Sequence, residues 1–262
     1  MAIEVFNRYE NKFLLDQTTY QKIQQRLLWY MEPDQYNRDQ EFYTISNIYY
    51  DTKDNYLIRN SLAKPKYKEK LRIRSYGTPK ADAKVYVEIK KKVCGLVNKR
   101  RTALKLDEAY NFVSTGIQPE LKIYMNKQVM NEIAYILSLY SLEPKLYLAY
   151  DRKALFCKDD NDLRITFDTN IRTRRYDLRL ESGDYGESLL ERDQWLMEVK
   201  AEKSIPLWLS KLLSEHKIFP TSFSKYGVEH KRMVLRNKQL KGDVNVCLRP
   251  YSTQRQLVPQ YL

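Results

Sequence analysis

Charge recurs at every second residue in segment after segment of this chain. In "RYENK" the alternating set is Arg8, Glu10 and Lys12, and in "YKEKLRIRSYG" it is Lys70, Arg72 and Arg74. In "VYVEIKKK" it is Glu88, Lys90 and Lys92, in "LRITFD" Arg164, Thr166 and Asp168, and in "WLMEVKAE" Glu198, Lys200 and Glu202. In "YDRKA", Arg152 follows Tyr150 on the same face. A strand sends successive side chains to opposite faces, so each segment has one ionic face and one apolar face. An antiparallel sheet with a single wet face accounts for any one of these strands. It accounts less well for all of them. The strands are too many for a flat sheet to stay open comfortably, and amphipathic helices must cover the apolar sides. That leaves the charged sides facing one another. We therefore expect an α+β fold: an antiparallel closed β-barrel, ionic inside, with helices packed on its outside. A lumen crowded with cations is tolerable only if water or a highly charged anion fills it.

The elements follow from local pattern. Strands are expected over Phe6–Leu15, Glu41–Thr52, Ala83–Val93, Val97–Leu104, Pro144–Phe156, Leu163–Asp177 and Trp195–Glu202, and over the Tyr67–Gly77 stretch. The last of these forms a hairpin with Ala83–Val93 across Gly77–Asp82. Asp16 caps a helix running to about Met31, with Leu14, Ile23, Leu27 and Leu28 as its apolar contacts. One or two helical turns fit Asp54–Asn60. Further helices fit Leu106–Ser114, an interrupted Pro119–Tyr140, and "PLWLSKLLSEH" from Pro206. The chain reads as a single domain over residues 1–240 with an irregular tail over 241–262.

Composition narrows the partners. The formal net charge of +13 over 262 residues points to an anionic partner. With 7 glycines there is no Gly-rich phosphate loop. Three scattered cysteines and two histidines, His216 and His230, argue against a structural zinc site or a disulfide framework. No secretory h-region and no apolar run of about 20 residues is visible, so a soluble cytoplasmic protein is expected. Nucleic acid is not the expected partner, because no helix-turn-helix or RNP-type motif stands out.

In order, "RYENKF", "SNIYYDT", "KLRIRSYG", "VYVEIKKK", "YDRKALF", "LRITFDTNI", "LMEVK" and "FSKYG" resemble the polyphosphate polymerase domain of the vacuolar transporter chaperone (VTC) family. That family belongs to the CYTH-like triphosphate tunnel metalloenzymes. The resemblance implies an antiparallel tunnel that grips a triphosphate or polyphosphate with basic side chains and a divalent metal, Mn²⁺ or Mg²⁺. The phosphate contacts it implies are Lys12, Arg72, Arg74, Lys90, Arg152, Arg164, Lys200, Ser224 and Lys225. Glu198 would hold the metal, with Glu88 and Glu10 as weaker candidates. Arg72, Arg74, Glu198 and Lys200 form the implied catalytic set. ATP and inorganic polyphosphate are the implied substrates, and a membrane-protein partner would not be visible in this sequence.

Two departures from the family pattern matter. Hydrolases and cyclases of the wider group begin with E-x-E-x-K, whereas here Arg8 stands in the first position. A cation in place of an acid leans towards chain growth, because an anionic phosphate acceptor needs no general base. Ser222 stands where fungal polymerases carry a lysine. The expectation is thus a metal-dependent polyphosphate polymerase with a tunnel open at both ends. The alternatives are an inorganic triphosphatase or polyphosphatase, and a non-catalytic receptor for polyphosphate or inositol polyphosphate. Each residue also has a plainer reading. Arg72 and Arg74 could be surface charges, Glu198 and Lys200 could pair across strands, Ser224 could be a helix cap, and Glu10 could only orient Lys12 or Arg8. The tyrosines read mainly as strand and core residues, with Tyr150 or Tyr226 as minor candidates for touching phosphate or base.

Overall fold

The computed structural model describes residues 6–37, 41–94, 96–160, 162–202 and 204–240. The Arg8 side chain and the 241–262 tail lie outside the described residues. The first strand, β1 (Phe6–Asp16), hands over to α1 (Gln17–Leu27), whose third backbone N–H, Thr19, donates to the Asp16 carboxylate at 2.7 Å. The helix stops four residues short of the expected Met31. Met31 instead opens a short strand, β2 (Met31–Pro33), paired with residues 155–157. A 3₁₀ turn (Gln35–Asn37) leads to β3 (Tyr43–Asp51), α2 (Tyr56–Leu62), β4 (Tyr67–Tyr76), β5 (Lys84–Val93) and β6 (Leu96–Lys105). Then come α3 (Leu106–Thr115), α4 (Lys127–Leu139), β7 (Glu143–Cys157), β8 (Arg164–Arg174), β9 (Glu187–Ser188), β10 (Gln194–Ala201), α5 (Leu207–Glu215) and α6 (Lys225–Leu240).

All strand pairs are antiparallel and belong to one ten-stranded sheet, strongly curled into a tunnel. Pairing runs β3-β4-β5-β6-β1-β10-β8-β7, and β7 also pairs with β3, so the order returns to its starting strand. The thinnest seam is β1 against β6, where three residue pairs meet, from Phe6 opposite Lys99 to Arg8 opposite Val97.

The outer face of the sheet is apolar and covered by helices. Tyr20, Ile23 and Leu27 of α1 and Leu209, Leu212 and Leu213 of α5 bury Phe13, Ile165, Phe167, Met197 and Val199. On the other flank, Ala109, Phe112 and Val113 of α3 and Val129, Met130, Ile133 and Ile136 of α4 bury Leu71, Ile73, Val85, Val87 and Ile89. Each of these Val, Leu, Ile, Phe and Met side chains contributes roughly 1.5–3 kcal/mol on removal from water. Two expected contacts of α1 do not occur: Leu28 is exposed, and Leu14 packs at the other, inward face of the sheet.

The interior is only partly ionic, which corrects the expectation. One end of the lumen, along β3, β7, β8 and β10, is filled by Tyr49, Leu146, Leu148, Tyr150, Ile171 and Leu196. They pack under Ile58 of α2, Leu189, Leu190, and Phe223 and Tyr226 at the start of α6. The sequence offers helix α6 only through Ser224 as a cap, without its extent, and Ser224 caps it by accepting from the Gly227 N–H at 3.2 Å. Gly227 is needed for close approach, since a Cβ there would sit 3.0 Å from Leu62 of α2. The lumen is therefore not symmetrically open at its two ends.

Candidate functional site

Strand register brings the inward-facing charges of distant segments together. Arg72 stands opposite Glu88 on one side and Tyr49 on the other, and Arg74 opposite Tyr86 and Asn47. Across the lumen wall, Glu198 stands opposite Lys12 and Thr166, and Lys200 opposite Glu10 and Arg164. Asp168 stands opposite Arg152. The Arg72 and Arg74 side chains retain only 15% and 7% of their exposure, so they line the interior and not the outer surface.

Two carboxylate-centred clusters result. In the first, Lys12 Nζ lies 3.2 Å from Glu10 Oε1 and 3.1 Å from Glu198 Oε1. Lys200 Nζ lies 3.0 Å from Glu198 Oε2, and Lys225 Nζ 3.3 Å from Glu198 Oε1. Lys90 donates to Glu10 at 3.1 Å. Lys225 also pairs with Asp168, which holds Arg152 in a two-pronged fork at 2.6 and 2.8 Å. Burial alone would raise the Glu198 carboxyl, but Lys12, Lys225, Lys200 and Arg152 around it hold it well below the ordinary carboxylate range. Burial would raise Glu10 too, yet Lys90 and its neighbours keep it low.

In the second cluster Glu88 accepts from Arg72 Nε and Nη2 at 2.9 and 2.6 Å and faces Lys99 at 3.5 Å. Arg72 Nη1 reaches the Tyr49 hydroxyl at 2.9 Å. Arg74 Nε donates to Asn47 Oδ1 at 2.9 Å, and its Nη2 to the Tyr150 hydroxyl at 3.1 Å. Glu88 therefore sits with arginines, in a cluster of its own. Its carboxyl is held far down, against burial, by Arg74, Lys99 and Arg72.

The cations outnumber the acids, and three lysines register the crowding. Lys70 falls to about 7 through burial and the nearby charges of Lys90, Lys12, Lys68 and Arg72. Its ammonium donates to Ser224 Oγ at 3.2 Å. Lys200 falls to about 8, burial outweighing Glu198 and Glu10. Lys99, despite the raising effect of Glu88, falls to about 7 through burial, Arg74, Arg72 and Arg101. Arg164, nearer the open end, pairs with Asp34 at 3.0 Å and lies 4.7 Å over the Phe156 ring.

All twelve residues singled out in the sequence lie on this interior surface or at its α6 edge. The fold adds Lys99 and Arg101, and it draws in Lys70, Thr166 and Asp168, which the sequence placed on ionic strand faces without giving them a site role. The signal for Lys70 was its place in the row Lys70–Arg72–Arg74, and for Lys99 and Arg101 the same alternation in "VNKRRTAL". Ser224 meets both readings, as a helix cap and as a lumen hydroxyl. His216 closes α5 and His230 is buried in α6, and neither joins the lysine–carboxylate clusters.

Among the described residues no group of three or more His, Cys, Asp or Glu side chains converges. A hard divalent cation does not require one, because Mg²⁺-type ions take one or two carboxylates and complete their shell with phosphate and water oxygens. Glu10 and Glu198, already bridged by one ammonium, fit that role. Thr166 adds a second observation: its Oγ1 is buried beside Glu198 without a hydrogen-bond partner among the described residues. Glu88, closed in by Arg72, Arg74 and Lys99, fits it poorly.

A family model described as VTC domain matches residues 7–234. Among solved structures, a candidate adenylate cyclase from Bacillus halodurans superposes with a TM-score of 0.53 at 14% identity, covering 85% of this chain and 96% of that one. A candidate adenylyl cyclase from Hippeastrum, described as having a dominant triphosphatase activity, gives 0.47 at 15% identity, covering 88% and 96%. The Mimivirus capping-enzyme triphosphatase gives 0.35 at 9%, covering 81% and 88%. No curated protein matches the chain. Among the described residues no helix is long and apolar enough to cross a membrane.

Proposed function

Since the chain belongs to the VTC-domain family and has the triphosphate-tunnel fold, we propose that it is a metal-dependent polyphosphate polymerase. It would transfer the γ-phosphoryl group of ATP to a growing inorganic polyphosphate inside the cationic lumen. Phosphoryl transfer asks for in-line positioning and charge neutralisation more than for covalent help. Arg72, Arg74, Arg152 and Arg164 supply planar forks for paired phosphate oxygens, and Lys12, Lys90, Lys200 and Lys225 supply mobile point charges. Those charges are paired internally with Glu10, Asp34, Glu88, Asp168 and Glu198. An incoming polyanion shares these cations with the carboxylates and does not face a field of bare cations. Glu198 and Glu10 would hold Mg²⁺ or Mn²⁺, which supplies Lewis-acid neutralisation of the phosphate oxygens.

The observation that carries the polymerase reading over hydrolysis is the state of the carboxylates. Glu10, Glu88, Asp168 and Glu198 are all surrounded by cations and held below their ordinary range. A carboxylate so held is a weak base for activating water, whereas a terminal phosphate oxygen is already anionic and needs none. Incubation with ATP and Mn²⁺, followed by a gel for long anionic chains, tests this. A ladder of chain lengths is expected. Phosphate release from ATP and from inorganic tripolyphosphate, with no ladder under any metal, would instead make the chain a hydrolase.

A further inference from the structure

Above the ionic part of the lumen, four tyrosines from different elements form a continuous array. Tyr36 of the 3₁₀ turn lies 6.0 Å from Tyr43 of β3 and 6.3 Å from Tyr76 of β4, the latter nearly parallel at 14°. Tyr43 and Tyr76 are 6.2 Å apart, and Tyr76 meets Tyr86 of β5 edge-on at 5.9 Å. Two guanidiniums flank the array. Arg101 lies 4.5 Å over the Tyr86 ring and reaches the Tyr76 hydroxyl at 3.4 Å. Arg164, on the other side, has a buried Nε without a partner among the described residues.

These rings are not ordinary core. Tyr36 is 61% exposed and Tyr76 47%, and yet they stack at the edge of a cavity lined by cations. Two of the rings, Tyr76 and Tyr86, also continue rows that run into the lumen. Tyr76 ends the row Lys70–Arg72–Arg74–Tyr76, and Tyr86 begins Tyr86–Glu88–Lys90. From Tyr76 down to Arg72 is four strand residues, roughly 13 Å. An extended nucleoside triphosphate spans a distance of that order from its base to its last phosphate. Aromatic faces and arginine planes at a groove edge stack on a flat heterocycle without demanding one base identity.

Resting on the triphosphate reading above, we infer that this tyrosine collar binds the nucleobase of the substrate, and that it selects nucleoside triphosphates over inorganic triphosphate. The base sits at the mouth and the phosphates point inward. The terminal phosphate then lies deepest, near the Glu10–Lys12–Glu198 cluster.

The test is a pair of titrations, a non-hydrolysable ATP analogue and inorganic tripolyphosphate, into the full chain at one pH and one salt concentration. Wild type, Tyr76→Ala, Tyr36→Ala, Tyr76→Phe and Arg72→Ala are compared. The two alanine variants should lower the ratio of nucleotide to tripolyphosphate affinity by about tenfold each, and Tyr76→Phe, which keeps the ring, should restore it. Circular dichroism shows whether each variant is folded, and Tyr76→Phe keeps the test open if the alanine variant is not. An unchanged ratio, with tripolyphosphate binding still lost in Arg72→Ala, overturns the collar and leaves the phosphate lumen standing. Tripolyphosphate binding that is absent, or indifferent to Arg72→Ala, overturns both.

Discussion

The chemistry turns on individual charges whose neighbours are mostly of the same sign. Lys70, Lys99 and Lys200 have values near 7, 7 and 8. A lysine lowered in this way carries its charge below that value and loses it above. The grip on a polyanion should therefore weaken as pH rises from about 6.5 to 8.5. At pH 7.5 binding should take up protons, visible as a calorimetric heat that depends on the ionisation enthalpy of the buffer. Lys70→Arg keeps its charge at every pH, so it should flatten the profile. A variant with the wild-type profile would show that Lys70 does not titrate in this range. Glu198 gives a second test. Glu198→Gln removes a metal ligand but also frees Lys12, Lys200 and Lys225. Chain synthesis from ATP and Mn²⁺ should disappear in a folded protein, while metal-free binding of tripolyphosphate stays as tight or tightens. Full synthetic activity in this variant would remove Glu198 from the site.

Among the elements, α2 and α6 decide how the lumen ends, and one carboxylate ties them to the barrel. Asp51, buried at the end of β3, accepts from the backbone N–H groups of Leu57 and Ile58 in the first turn of α2 at 2.8 and 2.9 Å. It also accepts from the Tyr226 hydroxyl of α6 at 3.1 Å. The following Thr52 hydroxyl accepts from the Tyr56 N–H at 2.8 Å. The Asp-Thr of "SNIYYDT" is thus a helix cap supplied from a strand end, and its function is architectural. Asp51→Ala leaves two buried N–H groups and a buried hydroxyl unpaired and should cost about 2–3 kcal/mol, measured as a lower urea midpoint. Lys225 should respond to detachment of α6, because it reaches Asp168 and Glu198 only while that helix is docked. Beyond its cap at Ser224, sequence pattern gives no extent for α6. Its buried positions include Lys225, Glu229 and His230, so it lacks the apolar stripe by which α1, α3, α4 and α5 were legible. The end of α1 was misjudged for a related reason. Met31 is apolar at a helical spacing, but its pairing partner Cys157 is a hundred and more residues away, and local periodicity cannot register it.

For the molecule as a whole, the net charge of +13 and the cation-rich lumen act together. Without ligand, self-repulsion opposes the compact state, and added salt screens it. The ligand-free protein should melt at a higher temperature as NaCl is raised from 50 to 300 mM. Over the same range its affinity for tripolyphosphate should fall. A tripolyphosphate concentration a hundredfold above its dissociation constant should add about 2.7 kcal/mol of stability. A melting temperature insensitive to both salt and tripolyphosphate would mean that the cations do not converge on one enclosed volume.

Alternation of charged and apolar residues was enough by itself to define the strands, their ionic faces and an antiparallel barrel covered by helices, because a strand's two faces are fixed by covalent geometry alone. It also marked the charged strand residues that face the lumen, since those share a parity, whereas Ser224 and Lys225 on α6 were named only through the family resemblance. Which charges meet was decided only by tertiary structure. Register sets Glu198 against Lys12 and Thr166, and Glu88 against Arg72, and nothing within either strand specifies its partner's offset. The apolar filling of one end, the docking of Lys225 and the tyrosine collar at the other arise from contacts between residues far apart in the chain. Their free energy appears only when the sheet has curled and the chain's entropy has already been spent.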